Sequence, residues 1–264
     1  MKAGTQRART KRSDAGAGAL SQTVSRAIAV LRAFNRDRQE LGVTELSARL
    51  GLSKAIVFRL AQTLKEHDLL ERNAGSSKYR IGLGAFEIGM LFRHASLDRE
   101  AETYMRWLVE QTGYTSQLAV LHRNQMVIVG SQEAKGPLRY SVAVGEIRLL
   151  HCSAVGKAAL STFDDERVAA IITECGMPKR TPRTMTSLRK LKADLAQTRS
   201  RGYAVNWEET TTGVVSVAAP ILSRTLIAPA VIALAFPASQ VAKKDIASIG
   251  ALLKTAAQGI GARL

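Results

Sequence analysis

Three hydrogen-bond donors follow one glycine near the amino terminus, and their types suit contact with a polyanion. Ser53, Lys54 and Arg59 lie in the stretch VTELSARLGLSKAIVFRLAQTL at residues 43–64. A hydroxyl, an ammonium and a guanidinium bind phosphates and base edges, and the small apolar Ala55 between them suits a thymine methyl. The set could read DNA if one helix carries it. The alternative is an ordinary helical corner inside a larger protein.

Other segments contain residue types that enzymes use, but their spacing does not favour catalysis. His151–Cys152 are adjacent, whereas a nucleophile and its base must share a hydrogen bond. The acidic pair Glu208–Glu209 is expected on a solvated loop. Gly156–Lys157 lacks both the upstream glycine and the following Ser or Thr of a phosphate-binding loop. We therefore predict no catalytic residue, no metal site and no cofactor.

The elements that position the three donors are predicted to be short helices. Residues 21–35 form the first, with Ser21 as its cap, and Thr44 caps the second. Gly51 suits the left-handed conformation that ends a helix, and Ser53 caps the third helix. The first helix carries an apolar series at helical spacing: Val24, Ile28, Leu31 and Phe34. The order is helix, helix, sharp turn, helix.

The segment after the third helix predicts a β-hairpin. Two short extended runs in residues 69–81 flank a centre rich in turn residues. A helix-turn-helix followed by a hairpin is a winged helix, and the hairpin is its wing. The residues assigned to DNA binding on these elements are Thr44, Ser53, Lys54, Ala55, Phe58, Arg59, Arg72, Ser77 and Lys78.

Charge supports a polyanionic partner. The chain has 38 Lys and Arg against 22 Asp and Glu, a formal charge of +16. Residues 1–93 hold 17 basic and 8 acidic side chains, against 21 and 14 in the longer remainder. Residues 1–20 are expected to be a disordered basic tail. Neither a secretory signal nor a membrane-spanning run is predicted, and the two cysteines suit a reducing cytoplasm.

The remaining chain predicts an α+β architecture. Residues 84–97 read as a linker helix, in which Phe86, Met90 and Phe92 are expected to pack internally or to form a dimer seam. From residue 98 onward, helical patterns alternate with short strands separated by turns, which favours an antiparallel sheet covered by helices.

Five segments together resemble the isocitrate-lyase-regulator (IclR) family of bacterial transcription factors. They are SQTVSRAIAVLRAF (21–34), the stretch at 43–64, KYRIG (78–82), HCSAVGKAAL (151–160) and RGYAVNWEETTTGVVSVAAPI (201–221). The resemblance implies a winged helix-turn-helix DNA-binding domain (21–83), a linker helix (84–97) and a GAF-like effector domain (98–264). It also implies a homodimer or homotetramer on operator DNA that responds to a small organic or aromatic acid. Such a regulator is expected in the cytoplasm, on the nucleoid when bound to DNA.

Carried over by position, the resemblance implies an effector site built from backbone and side-chain groups of seven residues: Ala154, Val155, Asn206, Val214, Ser216, Ala233 and Ala235. Some carboxylate-binding relatives have an acidic residue in place of Asn206, a cysteine in place of Ser216 and serines in place of both alanines. The lost hydroxyls imply a larger or less polar ligand than a short keto acid. The alternatives are a pocket filled by side chains, an enzyme with an accessory helical domain, and a ligand-binding module whose helical domain binds protein.

Overall fold

The computed structural model describes residues 20–35, 38–91, 95–135 and 139–264. The chain forms two compact units, residues 1–93 and 94–264. Except for Leu20, the predicted basic tail lies outside the described residues. No helix in the described part of the chain is long and apolar enough to span a bilayer.

The first unit is the predicted winged helix. Its elements are α1 (Gln22–Arg32), α2 (Val43–Leu50), α3 (Lys54–Glu66), β1 (Leu70–Arg72), β2 (Tyr79–Ile81) and α4 (Leu83–Met90). One apolar cluster joins α1, α2, α3 and the wing, and Val30, Leu46, Val57 and Tyr79 are at its fully buried centre. Burial of these side chains fixes the angle between α2 and α3 and holds the wing beside them.

Local backbone chemistry sets the corner between α2 and α3. Gly51 has φ +63°, a conformation that costs little only for glycine, and the Ser53 hydroxyl accepts the N–H of Ile56 at the start of α3. The predicted cap at Thr44 is wrong. The cap position is Gly42, two residues earlier, so helix α2 begins at Val43, and the Glu45 carboxylate accepts the Gly42 N–H at 2.7 Å.

Two helices of the first unit expose large apolar side chains. On α1, Val24 is 57% and Ile28 44% exposed. On α4, Phe86 and Met90 are both 60% exposed, so the prediction that they pack internally is wrong. Phe92 lies outside the described residues. Helical spacing reveals an apolar face but not what covers it, and these faces remain open on the protomer.

The second unit is a six-stranded antiparallel sheet between two layers of helices. Its strand order is β5-β4-β3-β8-β7-β6. The elements are α5 (Ala95–Thr112), β3 (Thr115–His122), β4 (Gln125–Gln132), β5 (Ile147–Arg148), α6 (Ala154–Leu160), α7 (Asp165–Cys175), α8 (Leu188–Arg201), β6 (Ala204–Trp207), β7 (Val214–Ile221), β8 (Ala230–Pro237) and α9 (Ile246–Arg263).

Each face of this sheet has its own apolar core. Helices α5 and α9 cover one face, where Leu118, Val217, Leu234 and Leu253 are buried. Helices α6, α7 and α8 cover the other, where buried side chains are smaller, mainly alanine and valine. The alternation of strand side chains between these cores decides which residues face α6.

Candidate nucleic-acid interface and ligand cavity

The predicted reading residues lie together on the open side of α3. Ser53, Lys54, Ala55, Phe58 and Arg59 are all exposed, and Phe58 keeps 44% of its surface. The opposite side of the helix is buried in the unit's core. Neither Lys54 nor Arg59 makes a side-chain hydrogen bond or ion pair with another described residue. Both cations are therefore available to an external partner.

The wing presents one available cation and two that are paired. Arg72 is exposed and makes no ion pair among the described residues. Lys78 Nζ lies 3.4 Å from the Glu45 carboxylate, and Arg80 donates to Glu71 at 2.7 and 2.9 Å. The Gly42 N–H and Lys78 together hold the pKa of Glu45 below its ordinary value. DNA phosphates would compete with these two carboxylates for the side chains of Lys78 and Arg80.

The wing is fixed to the body of the first unit. Leu41 and Tyr79 exchange two backbone hydrogen bonds of 2.9 Å, which adds a third short extended segment beside β2. The Asn73 amide donates to Glu40 at 2.8 Å. Predicted contact Ser77 is exposed with φ +54°, at the end of the turn. The contacts of Leu41 and Glu40 hold the wing against the segment that precedes α2.

The carboxylate of Glu71 is expected to weaken DNA binding. In Glu71→Gln, Arg80 loses its partner and turns to phosphate, so affinity for duplex DNA rises several-fold. The slope of log K against log salt becomes steeper by up to about one unit, the value for one more phosphate contact. Fluorescence anisotropy against salt measures both. An unchanged slope would show that Arg80 does not reach the backbone, and Glu66→Gln, at the end of α3, is the charge-matched control.

A small cavity in the second unit brings most of the predicted effector residues together. It measures about 20 Å³, room for about one water molecule. Eleven residues line it: Gln117, Tyr140, Arg148, Ser153, Ala154, Val155, Asn206, Thr210, Val214, Ser216 and Ala235. Of the seven predicted residues only Ala233 is not in the lining. It is fully buried in the α6-side core beside Ala218.

Sheet register explains this convergence. Asn206 pairs with Ser216, and Ser216 pairs with Ala235, so three adjacent strands place one residue each in a row facing α6. Ala154 and Val155 lie opposite, in the first turn of α6. Their N–H groups donate to no described acceptor, because Ser153 Oγ caps Gly156 instead. The row and the helix start form the two walls of the cavity.

Asn206 organises the cavity more than it offers groups to a ligand. Its Nδ2 donates to Thr210 at 2.9 Å and to Ser216 at 3.1 Å, while its Oδ1 accepts the Glu209 N–H at 2.7 Å. All its hydrogen-bonding atoms are therefore used within the protein. Its role is to hold the β6–β7 loop against the sheet.

Five lining residues were not among the predicted effector residues: Gln117, Tyr140, Arg148, Ser153 and Thr210. Gln117 shares one face of β3 with Thr115 and Ala119, the face that packs toward α6. A polar residue on that buried face is visible in the sequence and could have indicated a site. Arg148 reaches the cavity only because β5 joins the sheet through β4, a pairing with no local sequence signature. The walls are consequently more polar than the alanines of β8 alone predict.

A buried ion cluster lies directly behind the cavity. Lys157 on α6 is 1% exposed, and its Nζ lies 2.6 Å from Glu209 and 3.1 Å from Asp194 on α8. The expectation of a solvated Glu208–Glu209 pair is wrong for Glu209, which is 8% exposed, because the chain brings this cation to it. Burial raises the pKa of Glu209, and the ammonium of Lys157 opposes that shift.

The Gly–Lys pair in α6 thus has a structural explanation. A Cβ on Gly156 would lie 2.5 Å from the backbone of Leu149 and Leu150, so only glycine fits there. Lys157 next to it holds Glu209, whose loop carries Thr210 and follows Asn206. The ion pair therefore connects α6 to the loop that closes the cavity.

The His151–Cys152 pair does not form a nucleophile and base. His151 Nε2 lies 3.1 Å from the carbonyl of Pro178, and burial lowers the pKa of the imidazole. Burial also raises the pKa of the Cys152 thiol to about 12, which keeps it protonated. In the described residues no group of three or more His, Cys, Asp or Glu side chains is placed to hold a metal ion.

A wider groove opens on the surface between α8 and α9 but contains none of the predicted residues. It measures about 540 Å³, and Arg199 and Lys254 are its cations. Arg199 already donates to the carbonyls of Ser161 and Phe163 and to Asp165, at 2.8 to 3.1 Å. Its guanidinium is therefore largely committed within the protein, unlike that of Arg148.

A winged helix with an open cationic reading helix, followed by a sheet domain with an internal polar cavity, defines a DNA-binding transcriptional regulator. Family models agree. "IclR helix-turn-helix domain" matches residues 23–74, and "Bacterial transcriptional regulator IclR C-terminal" matches residues 91–262. The chain belongs to the IclR family of bacterial transcriptional regulators, as its resemblance predicted.

Relatives and solved structures fit this placement. The HTH-type transcriptional repressor AllR of Klebsiella pneumoniae is 29% identical over 245 residues, 92% of this chain and 90% of the relative. A putative IclR regulator from a Silicibacter species superposes with TM-score 0.81 at 28% identity, covering 91% of this chain and 95% of that one. An IclR homologue of Microbacterium hydrocarbonoxydans, crystallised with 4-hydroxybenzoate, gives TM-score 0.76 at 22% identity, with 92% and 99% covered.

Proposed function

We propose that this regulator reads its operator with the first turns of α3 while the wing holds the flanking backbone. The observation that carries the proposal is the open, cationic side of α3 from Ser53 to Arg59, beside which no described carboxylate neutralises Lys54 or Arg59. Lys54, Ala55 and Phe58 are assigned to base edges and thymine methyls. Ser53 and Arg59, with the wing residues Arg72, Ser77 and Lys78, are assigned to phosphates; Thr44, exposed in the first turn of α2, joins them.

Selection of binding sites from random duplexes, followed by footprinting, tests this proposal. A discrete protected sequence is expected, with affinity that falls by about 10³-fold or more from about 50 to 200 mM salt if about six phosphates are contacted. Binding that is equal for all sequences would reduce α3 to a backbone contact. Binding without salt dependence would contradict the wing assignment.

The cavity is proposed as the effector site, and its ligand as an aromatic or aliphatic acid. Arg148 supplies a cation at one wall, and the N–H groups of Ala154 and Val155 lie at the other. The Microbacterium homologue, complexed with an aromatic acid, supports the same ligand class. A cavity this small must widen to admit such a molecule, and binding that favours the widened form would alter the operator affinity.

The regulator is further proposed to act as a homodimer or homotetramer in the cytoplasm, on the nucleoid when bound to DNA. The open apolar faces of α1 and α4 support self-association, because a stable protomer rarely exposes so many large apolar side chains on two helices. The exposed large apolar side chains on these helices are Val24, Ile28, Leu83, Phe86, Ile88 and Met90, and Leu20 and Leu91 lie next to the helix ends. A second copy would cover these faces and pair two reading helices on a repeated operator.

Phe86→Asp tests this assembly. The side chain is 60% exposed, so the protomer should fold, while a charge in the seam should dissociate the oligomer. Sedimentation velocity is expected to show monomer at micromolar concentration, with weaker binding to a two-half-site operator. Glu87→Ala, at the exposed neighbouring position, is the control. A Phe86→Asp protein that keeps the wild-type mass would place the seam elsewhere.

A further inference from the structure

The cavity contains a buried amide with an unused acceptor. Gln117 is 4% exposed, lines the cavity, and its Oε1 makes no hydrogen bond to any described residue. An unpaired buried carbonyl oxygen costs about 1–3 kcal/mol. Folding tolerates that cost where a ligand later supplies the missing donor. The amide therefore indicates a ligand with an O–H or N–H group.

Arg148 also lines the cavity, and some of its N–H groups make no hydrogen bond to a described residue. Its Nη2 donates to Glu146 at 2.9 Å and to the Tyr140 hydroxyl at 3.3 Å, and its Nε and Nη1 make no hydrogen bond to a described residue. The neighbouring carboxylate of Glu146 is partly exposed at 24%, so it holds the guanidinium in place while water screens its charge. An acidic group entering the cavity can accept from the remaining nitrogens.

Together, Gln117 and Arg148 indicate two functional groups on the ligand, of which the acid is only one. We propose that the effector is an acid that also carries a hydroxyl or amide donor, with Arg148 binding the anion and Gln117 accepting the donor. The inference rests on the proposed effector role of the cavity and narrows its ligand class. An acid without a donor would leave the Gln117 carbonyl unpaired, so it would bind about 10- to 100-fold more weakly than an otherwise similar acid that carries the donor.

A matched ligand panel tests this specificity by thermal shift. Each aromatic or aliphatic hydroxy acid, from lactate to the hydroxybenzoates, is compared with its O-methyl ether and its carboxamide. Some hydroxy acids are expected to raise the Tm, and their ethers and amides to lose at least about 10-fold in affinity. If no hydroxy or amido acid raises the Tm, or if an ether binds as well as its parent, the proposal is overturned.

Variants of Gln117 and Arg148 test whether the ligand that raises the Tm binds in this cavity. Gln117→Met should keep or raise the Tm of the unliganded protein, because it removes an unpaired buried amide, and should erase the preference for hydroxyl over ether. Arg148→Gln should erase the preference for acid over amide. Gln125→Met and Arg167→Gln, at exposed positions of the same unit, are the matched controls. A ligand response that survives both site variants unchanged would place binding elsewhere, for example in the α8–α9 groove.

DNA binding measured on the same preparations tests the regulator assignment separately from the hydroxy-acid inference. Operator binding with no response to the panel would overturn the hydroxy-acid inference and leave the regulator assignment intact. A response to the panel without any operator binding would support the hydroxy-acid inference and contradict the regulator assignment.

Discussion

Lys54→Ala/Arg59→Ala is expected to abolish sequence-specific DNA binding while the protein stays folded. Both side chains are exposed and have no partner in the described structure, so the free energy of unfolding should change by less than about 0.5 kcal/mol per site. Removal of two direct contacts to base edges or phosphates should weaken operator affinity by at least about 30-fold. Fluorescence anisotropy on the selected operator and thermal denaturation measure the two effects.

Arg167→Ala/Lys190→Ala is a suitable comparison, because it removes the same net charge from exposed positions of the second unit, outside α3 and the wing. It should lower non-specific affinity slightly and leave the ratio of operator to random DNA binding nearly unchanged. If Lys54→Ala/Arg59→Ala gives that same result, α3 contributes only general electrostatic attraction, and base recognition must reside in other elements.

Lys157→Met is expected to destabilise the second unit more than any surface change. It leaves Glu209 and Asp194 facing each other without their cation, and breaking a buried ion pair from one side costs about 3–5 kcal/mol. The Tm of the second unit should fall by about 10 °C. Lys157→Met/Glu209→Gln should recover much of the loss, because it no longer buries an unpaired carboxylate. Equal stability of the single and double variants would contradict this assignment.

The destabilised variant should also depend on pH in a defined direction. Burial raises the pKa of Glu209, and removal of the opposing ammonium raises it further. A carboxyl whose pKa is higher in the folded than in the unfolded state binds more protons when folded, so the free energy of unfolding rises as pH falls through that pKa. The stability deficit of Lys157→Met should therefore shrink as pH is lowered from neutrality, and Glu209→Gln in the same background should remove the trend.

Most features that depend on neighbouring residues were predictable from sequence, the cap of α2 being an exception, and those that depend on distant strand pairing were not. The corner at Gly51, the cap at Ser53 and the hairpin of the wing follow from a few adjacent residues, and the structure confirms them. Gln117 and Arg148 line the same cavity only because of the pairing of β3, β4 and β5 in the sheet. Glu209 is buried because Lys157, 52 positions away in sequence, lies beside it. The sequence resemblance placed residues in the cavity that local patterns alone could not.

Exposure was the hardest property to predict. Val24 and Ile28 on α1, like Phe86 and Met90 on α4, are four residues apart, the spacing of one helix face. That spacing is the same whether the face packs on its own core or on another chain. The structure of one protomer separates the two cases, since it shows these side chains open.

The closed form of the cavity has a kinetic consequence. If the protein must open before an organic acid enters, the observed rate of approach to equilibrium should level off at high ligand concentration instead of rising in proportion to it. The plateau would report the rate of opening, and the apparent dissociation constant would exceed the intrinsic one by the inverse of the fraction open. Stopped-flow fluorescence from Trp207, at the end of β6 beside the cavity loop, is a natural reporter of that step.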